Sequence, residues 1–148
     1  MREALDASLP SARPLPGFGD SMTRDPMTKV LIIDDDPLMR RMAVRVLTGA
    51  GHEIVEAKDG KEGLRLFRAH RPSVVITDIL MPEQEGIQTI RELRREAPSV
   101  AIIAVSGGGQ AHNMTFLGYA GKLGADATLA KPFRPVELIN AVNNLLLP

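Results

Sequence analysis

The chain has no cysteine. Disulfides and thiolate metal sites are therefore excluded, and a reducing compartment fits. It has no excess charge of either sign, because 18 Lys and Arg balance 18 Asp and Glu. Without a global basic field, no direct nucleic-acid or membrane partner is expected. No apolar run approaches the roughly 18 residues that a membrane span needs. Nor does an apolar core of a secretory signal stand near the N-terminus, and a cytoplasmic protein is expected. His52, His70 and His112 are the only histidines. None sits in the pattern of a four-helix dimerisation module, and all three read as surface residues.

What is present fits one ordinary globular domain: 148 residues, 44% hydrophobic and 24% charged. Residues 1–28 stand apart. Pro10, Pro14, Pro16 and Pro26 are scattered among them with Gly17 and Gly19 and no period, so a flexible N-terminal arm is expected ahead of a domain over 29–148. From Lys29 the text alternates. Short, mostly β-branched runs fall at Val30–Ile33, Ile54–Val55, Val74–Thr77, Ala101–Val105 and Thr128–Ala130, as parallel strands covered on both faces should. Helical patterns lie between and after them. The first opens at Pro37 with Asp36 as cap, lines up Leu38, Met42, Val46 and Leu47, and ends at Gly49 and Gly51. Later helices carry Leu64 and Phe67; Ile87, Ile90, Leu93 and Ala97; Phe116, Leu117, Ala120 and Leu123; and Ile139, Val142 and Leu146. Five strand–helix units in alternation imply an α/β fold with a parallel sheet.

Each reactive residue follows a strand. Val30–Ile33 runs into Asp34, Asp35 and Asp36; Val74–Thr77 into Asp78; Ala101–Val105 into Ser106 and three glycines; Thr128–Ala130 into Lys131. In an open parallel sheet these carboxyl ends share one edge, where ligands bind. Two adjacent carboxylates about 4 Å apart repel by roughly 4 kcal/mol at an effective dielectric near 20, so the cluster calls for a cation. Oxygen ligands without histidine or cysteine favour magnesium, which leaves room for phosphate oxygens. A carboxylate beside it can attack phosphorus, while the lysine and the hydroxyl hold phosphoryl oxygens. Taken singly, each feature is more often a capped or solvated turn. Four complementary groups at four strand ends point to one shared reaction.

The blocks "VLIIDDDPLMR", "VVITDILMPEQEGI", "IIAVSGG" and "ATLAKPF" resemble the receiver domain of two-component response regulators, over about residues 28–148. The resemblance implies a doubly wound, flavodoxin-like three-layer sandwich with five helices and strand order 2-1-3-4-5. It implies Asp78 as the phosphoacceptor, with Mg2+ held by Asp34, Asp35, Asp78 and the backbone carbonyl of Leu80. Asp35 and Asp78 would bind directly and Asp34 through water. Ser106 would be the switch hydroxyl, Lys131 the partner of the phosphoryl group with a cis bond to Pro132, and Gly86 the small residue of the turn after the phosphorylation loop. The implied partners are a sensor histidine kinase or histidine phosphotransfer protein, and a downstream protein target.

Three features depart from the family pattern. Thr128 stands where an aromatic switch residue is usual. The stretch "GGGQAHNMTFLGYAG" is longer than usual, and a mobile loop is expected there. Leu80 and Gly108 occupy positions that tune hydrolysis, with side chains that cannot orient water. A stand-alone receiver that is not an enzyme is expected, since the sequence stops just after the last helix. Two rival readings are a haloacid-dehalogenase-like phosphatase using Asp34 and Asp36, and an interaction module that never sees phosphate. The phosphatase would need a further acidic pair after Lys131, where only Glu137 follows, in a helix.

Overall fold

The structure, a computed structural model, describes residues 28–79, 85–107, 118 and 121–147. All but the last residue of the arm expected over residues 1–28, Leu80, Gly108 and most of the loop expected to be mobile over residues 107–121, Phe116 included, lie outside these described residues. Five strands form one parallel sheet: β1 Lys29–Ile33, β2 Glu53–Ala57, β3 Val74–Asp78, β4 Ala101–Ser106 and β5 Ala127–Ala130. Their order is β2-β1-β3-β4-β5. The helices are α1 Pro37–Gly49, α2 Gly60–His70, α3 Glu85–Glu96, α4, of which residues 118 and 121–123 are described, and α5 Pro135–Leu146. No described helix is long and apolar enough to cross a membrane.

Strand side chains alternate between two faces, and both faces are covered. Leu31, Ile33, Val75, Ile102 and Ala104 meet Phe67 of α2 and Ile87, Ile90 and Leu93 of α3. Val30, Ile32, Val74, Ile76, Ile103 and Val105 meet Ala43 and Leu47 of α1 and Leu138 and Val142 of α5. Each fully buried Leu, Ile, Val or Phe contributes about 1.5–3 kcal/mol of transfer free energy. The two layers therefore fix the sheet between its helices.

Two local expectations change. Leu38 is 70% exposed rather than part of the α1 core, because at 3.6 residues per turn it falls roughly 140–180° around the helix from the buried Ala43 and Leu47. The outer strands are only half covered: Thr128 and Ala130 of β5 are exposed, as are Glu53 and Glu56 of β2. An edge strand has one neighbour, so the full-burial pattern holds for β1, β3 and β4 alone.

The start of α1 follows the sequence closely. Pro37 is the first helical residue, and the Asp36 carboxylate accepts the Leu38 N–H at 3.0 Å. The helix closes at Ala50 and Gly51, the latter with φ +97°, a region that favours glycine.

Candidate functional site

Strand register sets the site. Ile33 pairs with Thr77, so Asp34 and Asp78 leave neighbouring strands side by side. Asp78 pairs with Val105 and Ser106 with Ala130, which puts Ser106 and Lys131 on the same carboxyl edge. The reversal of strand order between β1 and β3 lies here. Asp34, Asp78 and Ser106 are buried at 4%, 6% and 0% exposure, whereas Asp35 is open to water.

Lys131 is drawn into this edge from both ends. Its main-chain N–H donates to the Ser106 carbonyl at 2.7 Å. Its ammonium donates to Asp34 Oδ2 at 3.3 Å and to Asp78 Oδ2 at 3.2 Å. Gly107 passes close alongside: a Cβ there would lie 3.2 Å from Lys131 Cδ. The Lys131–Pro132 bond is cis. The other Asp34 oxygen accepts the Asp36 N–H at 2.9 Å, and the Asp34 N–H donates to the Ala57 carbonyl at 3.1 Å.

The charges respond to this crowding. Burial pushes the Asp34 carboxyl above its ordinary value of 3.8, and nearby Asp78 adds to the rise. The Asp36 N–H and Lys131 pull it back only in part. Burial pulls the Lys131 ammonium down, but the attraction of Asp78 and Asp34 outweighs it and leaves the pKa above its ordinary 10.5.

The donor set fits a hard divalent cation. One oxygen from each of Asp34, Asp35 and Asp78 falls within 4.8 Å of the others, a span that a single ion can draw together. All three are carboxylates, with no histidine or cysteine, which suits magnesium. Leu80, the expected carbonyl ligand, lies outside the described residues.

Asp36 does not join this group, because its carboxylate is exposed and committed to the α1 cap. Glu137 accepts the Arg134 N–H at 2.6 Å at the start of α5. Neither supplies the acid chemistry that the phosphatase reading requires. Gly86 is required by contact, since a Cβ there would lie 2.1 Å from the Asp78 carbonyl oxygen and 2.5 Å from Ile79 Cα. The sequence reading missed Arg40, which reaches back from α1 to the Asp34 carbonyl at 2.7 Å. Its signal was a cation in the first turn of a helix, where the dipole disfavours one.

The sequence pattern of the response regulator receiver domain matches residues 30–143. The chain belongs to the response regulator receiver family. Chemotaxis protein CheY of Thermotoga maritima is 36% identical over 118 residues, covering 79% of this chain and 96% of that protein. The probable transcriptional regulator ycf27 of Cyanophora paradoxa is also 36% identical over 118 residues, covering 80% of this chain but 48% of the regulator. The receiver chain thus spans about half the length of such regulators and nearly all of CheY. Among solved structures, a receiver domain protein from Clostridium thermocellum has TM-score 0.75 at 33% identity, over 81% of this chain and 94% of that one. CheY4 of Vibrio cholerae has TM-score 0.72 at 30% identity, over 82% of this chain and 100% of that one. Receiver domains are signalling modules of two-component systems that interact with histidine kinases and downstream effectors. Phosphorylation and magnesium binding are typical of them.

Proposed function

We propose that this receiver takes a phosphoryl group onto Asp78 from a phosphohistidine of a sensor kinase or phosphotransfer protein. A carboxylate oxygen of Asp78 attacks phosphorus, the phosphorus–nitrogen bond breaks, and the imidazole leaves with the electron pair. The observation that carries this reading is the single edge on which Asp34, Asp35 and Asp78 gather with the Lys131 ammonium bridging two of them. Asp35 and Asp78 would hold magnesium directly, with Asp34 through water and the Leu80 carbonyl completing the protein ligands. Bound there, the ion supplies charge stabilisation for the phosphoryl oxygens. Lys131 moves from pairing carboxylates to pairing the phosphoryl group, and the Ser106 hydroxyl donates to another of its oxygens.

Phosphorylation adds about −1.5 to −2 charge and strong acceptors, which biases the Ser106 loop. Thr128 lies exposed on β5 and offers no ring to rearrange. The signal therefore passes through that loop and the surface around α4, β5 and α5 to a protein target. We read residues 29–148 as the receiver and the protein as a cytoplasmic, stand-alone regulator rather than an enzyme.

Incubation with acetyl phosphate and magnesium should give one base-labile label, absent in Asp78→Asn and in EDTA. Turnover of a phosphomonoester with no stable label would favour the phosphatase, and persistence of the label in Asp78→Asn would remove Asp78 as acceptor.

A further inference from the structure

Arg40 lies in the first turn of α1, where its charge opposes the helix dipole. Two contacts hold it there. Nη1 donates to the main-chain carbonyl of Asp34 at 2.7 Å, and Nε donates to Glu56 Oε1 at 3.4 Å. Helical side chains lean toward the N-terminus, which lets a residue one turn in reach back to the strand end. Glu56 stands on β2, in register with Ile32 of β1. The brace therefore crosses from α1 over the end of β1 to the neighbouring strand.

The accepting carbonyl belongs to the peptide that joins Asp34 to Asp35. A peptide is planar, so fixing its oxygen fixes the direction in which the Asp35 Cα departs. The Asp34 N–H is fixed on its other side by Ala57. Burial differs along the brace: the Arg40 side chain is 20% exposed and Glu56 48%. Glu56 has a second effect. A guanidinium free beside several carboxylates would form a fork pair with one of them and compete with a divalent cation.

We propose that Arg40, restrained by Glu56, is a positioning residue for the divalent-cation site. It sets the backbone between Asp34 and Asp35 while being kept off their carboxylates. The inference rests on the metal reading of Asp34, Asp35 and Asp78 given above.

The test is magnesium affinity of the full chain, read by titration calorimetry and by the magnesium dependence of the unfolding midpoint. Titrations run in about 0.5 M KCl, where charge effects beyond roughly 5 Å are screened. Arg40→Lys keeps the charge and loses the fork, and should weaken magnesium about tenfold, as loss of an outer-shell partner does. Glu56→Gln, on an edge strand and half exposed, should weaken it in the same direction. If Arg40→Lys lowers the unfolding midpoint but leaves affinity within about twofold of the parent, Arg40 only supports the fold and the proposal is overturned. If Arg40→Lys does not fold, unchanged affinity in Glu56→Gln overturns it. A parent that binds no magnesium, behaving like Asp35→Asn, overturns the metal reading and the brace together.

Discussion

Asp34→Asn should stabilise the protein without magnesium and make it relatively less stable with it. Asp34 is buried against Asp78, and its carboxylate oxygen lies 3.3 Å from the Lys131 ammonium. At an effective dielectric near 20, that attraction is about 5 kcal/mol. Against it stand two carboxylates, Asp35 and Asp78, each with an oxygen within 4.8 Å. The Asp78 repulsion is at least about 3.5 kcal/mol at the same dielectric, and that from exposed Asp35 is smaller because water screens it. These Coulomb contributions nearly cancel. The desolvation of a buried carboxylate, several kcal/mol, then decides the sign, in agreement with the raised Asp34 pKa, whose largest cause is burial.

Asparagine keeps an oxygen for the Asp36 N–H and removes the charge. The net gain in EDTA should be about 1–2 kcal/mol, because the new amide meets the Lys131 ammonium less well. Excess magnesium at 100 times its dissociation constant adds about 2.7 kcal/mol to the parent and much less to the variant. The order of stability therefore reverses. Between the unfolded value of 3.8 and the higher folded one, the native state holds the Asp34 proton while the unfolded chain has lost it. Parental stability in EDTA thus falls as pH rises through that window and levels off above it, and the Asp34 part of this slope vanishes in Asp34→Asn. Urea unfolding in EDTA and in magnesium, from pH 4 upward, reads all three effects. An Asp34→Asn protein less stable than the parent in EDTA, or one that keeps the full magnesium increment, would refute the reasoning.

Lys131→Met should cost about 2–3 kcal/mol in EDTA, since it leaves Asp34 and Asp78 without their shared cation; a loss below half of that at pH 7 would count against the bridge. The Lys131 pKa is raised above 10.5, so its stabilisation is complete below that value and fades as pH rises through the folded one; alkaline unfolding of Lys131→Met should lack this step. Gly86→Ala should destabilise by about 2–3 kcal/mol and slow labelling of Asp78, because the new Cβ meets the immobile Asp78 and Ile79 backbone; normal stability and labelling would show that α3 can shift freely. Arg94 donates to the carbonyls of Pro98, Val100 and Gly124 and pairs with Asp126, tying the end of α3 to the turns around β4 and β5. Arg94→Ala should cost about 2–3 kcal/mol in urea unfolding, and a change below 0.5 would mean that water replaces those contacts.

The regular elements were legible because their causes are local. Asp36 and Pro37 specify a helix start by capping and fixed φ, and β-branched runs specify strands. The same locality explains the misses. Leu38 continues the apolar stripe of Met42 and Val46, yet only the packing of Ala43 and Leu47 shows which side of α1 meets the sheet, and Leu38 lies opposite it. The half-open β5 follows from having one neighbour, which a strand cannot encode by itself. Arg40 belongs to two structures at once, a helix and the brace across β1 and β2.

The sequence by itself determined which residue types stand at each strand end: three carboxylates, a hydroxyl and an ammonium, each placed by the periodicity of the run before it. Only the tertiary structure decided that Asp34, Asp35 and Asp78 face one another, that Asp36 turns away to cap α1, and that Lys131 reaches two of them from β5. The physical reason is that parallel register and strand order are long-range properties. Packing of both sheet faces fixes them, and they set distances that spacing along the chain does not contain.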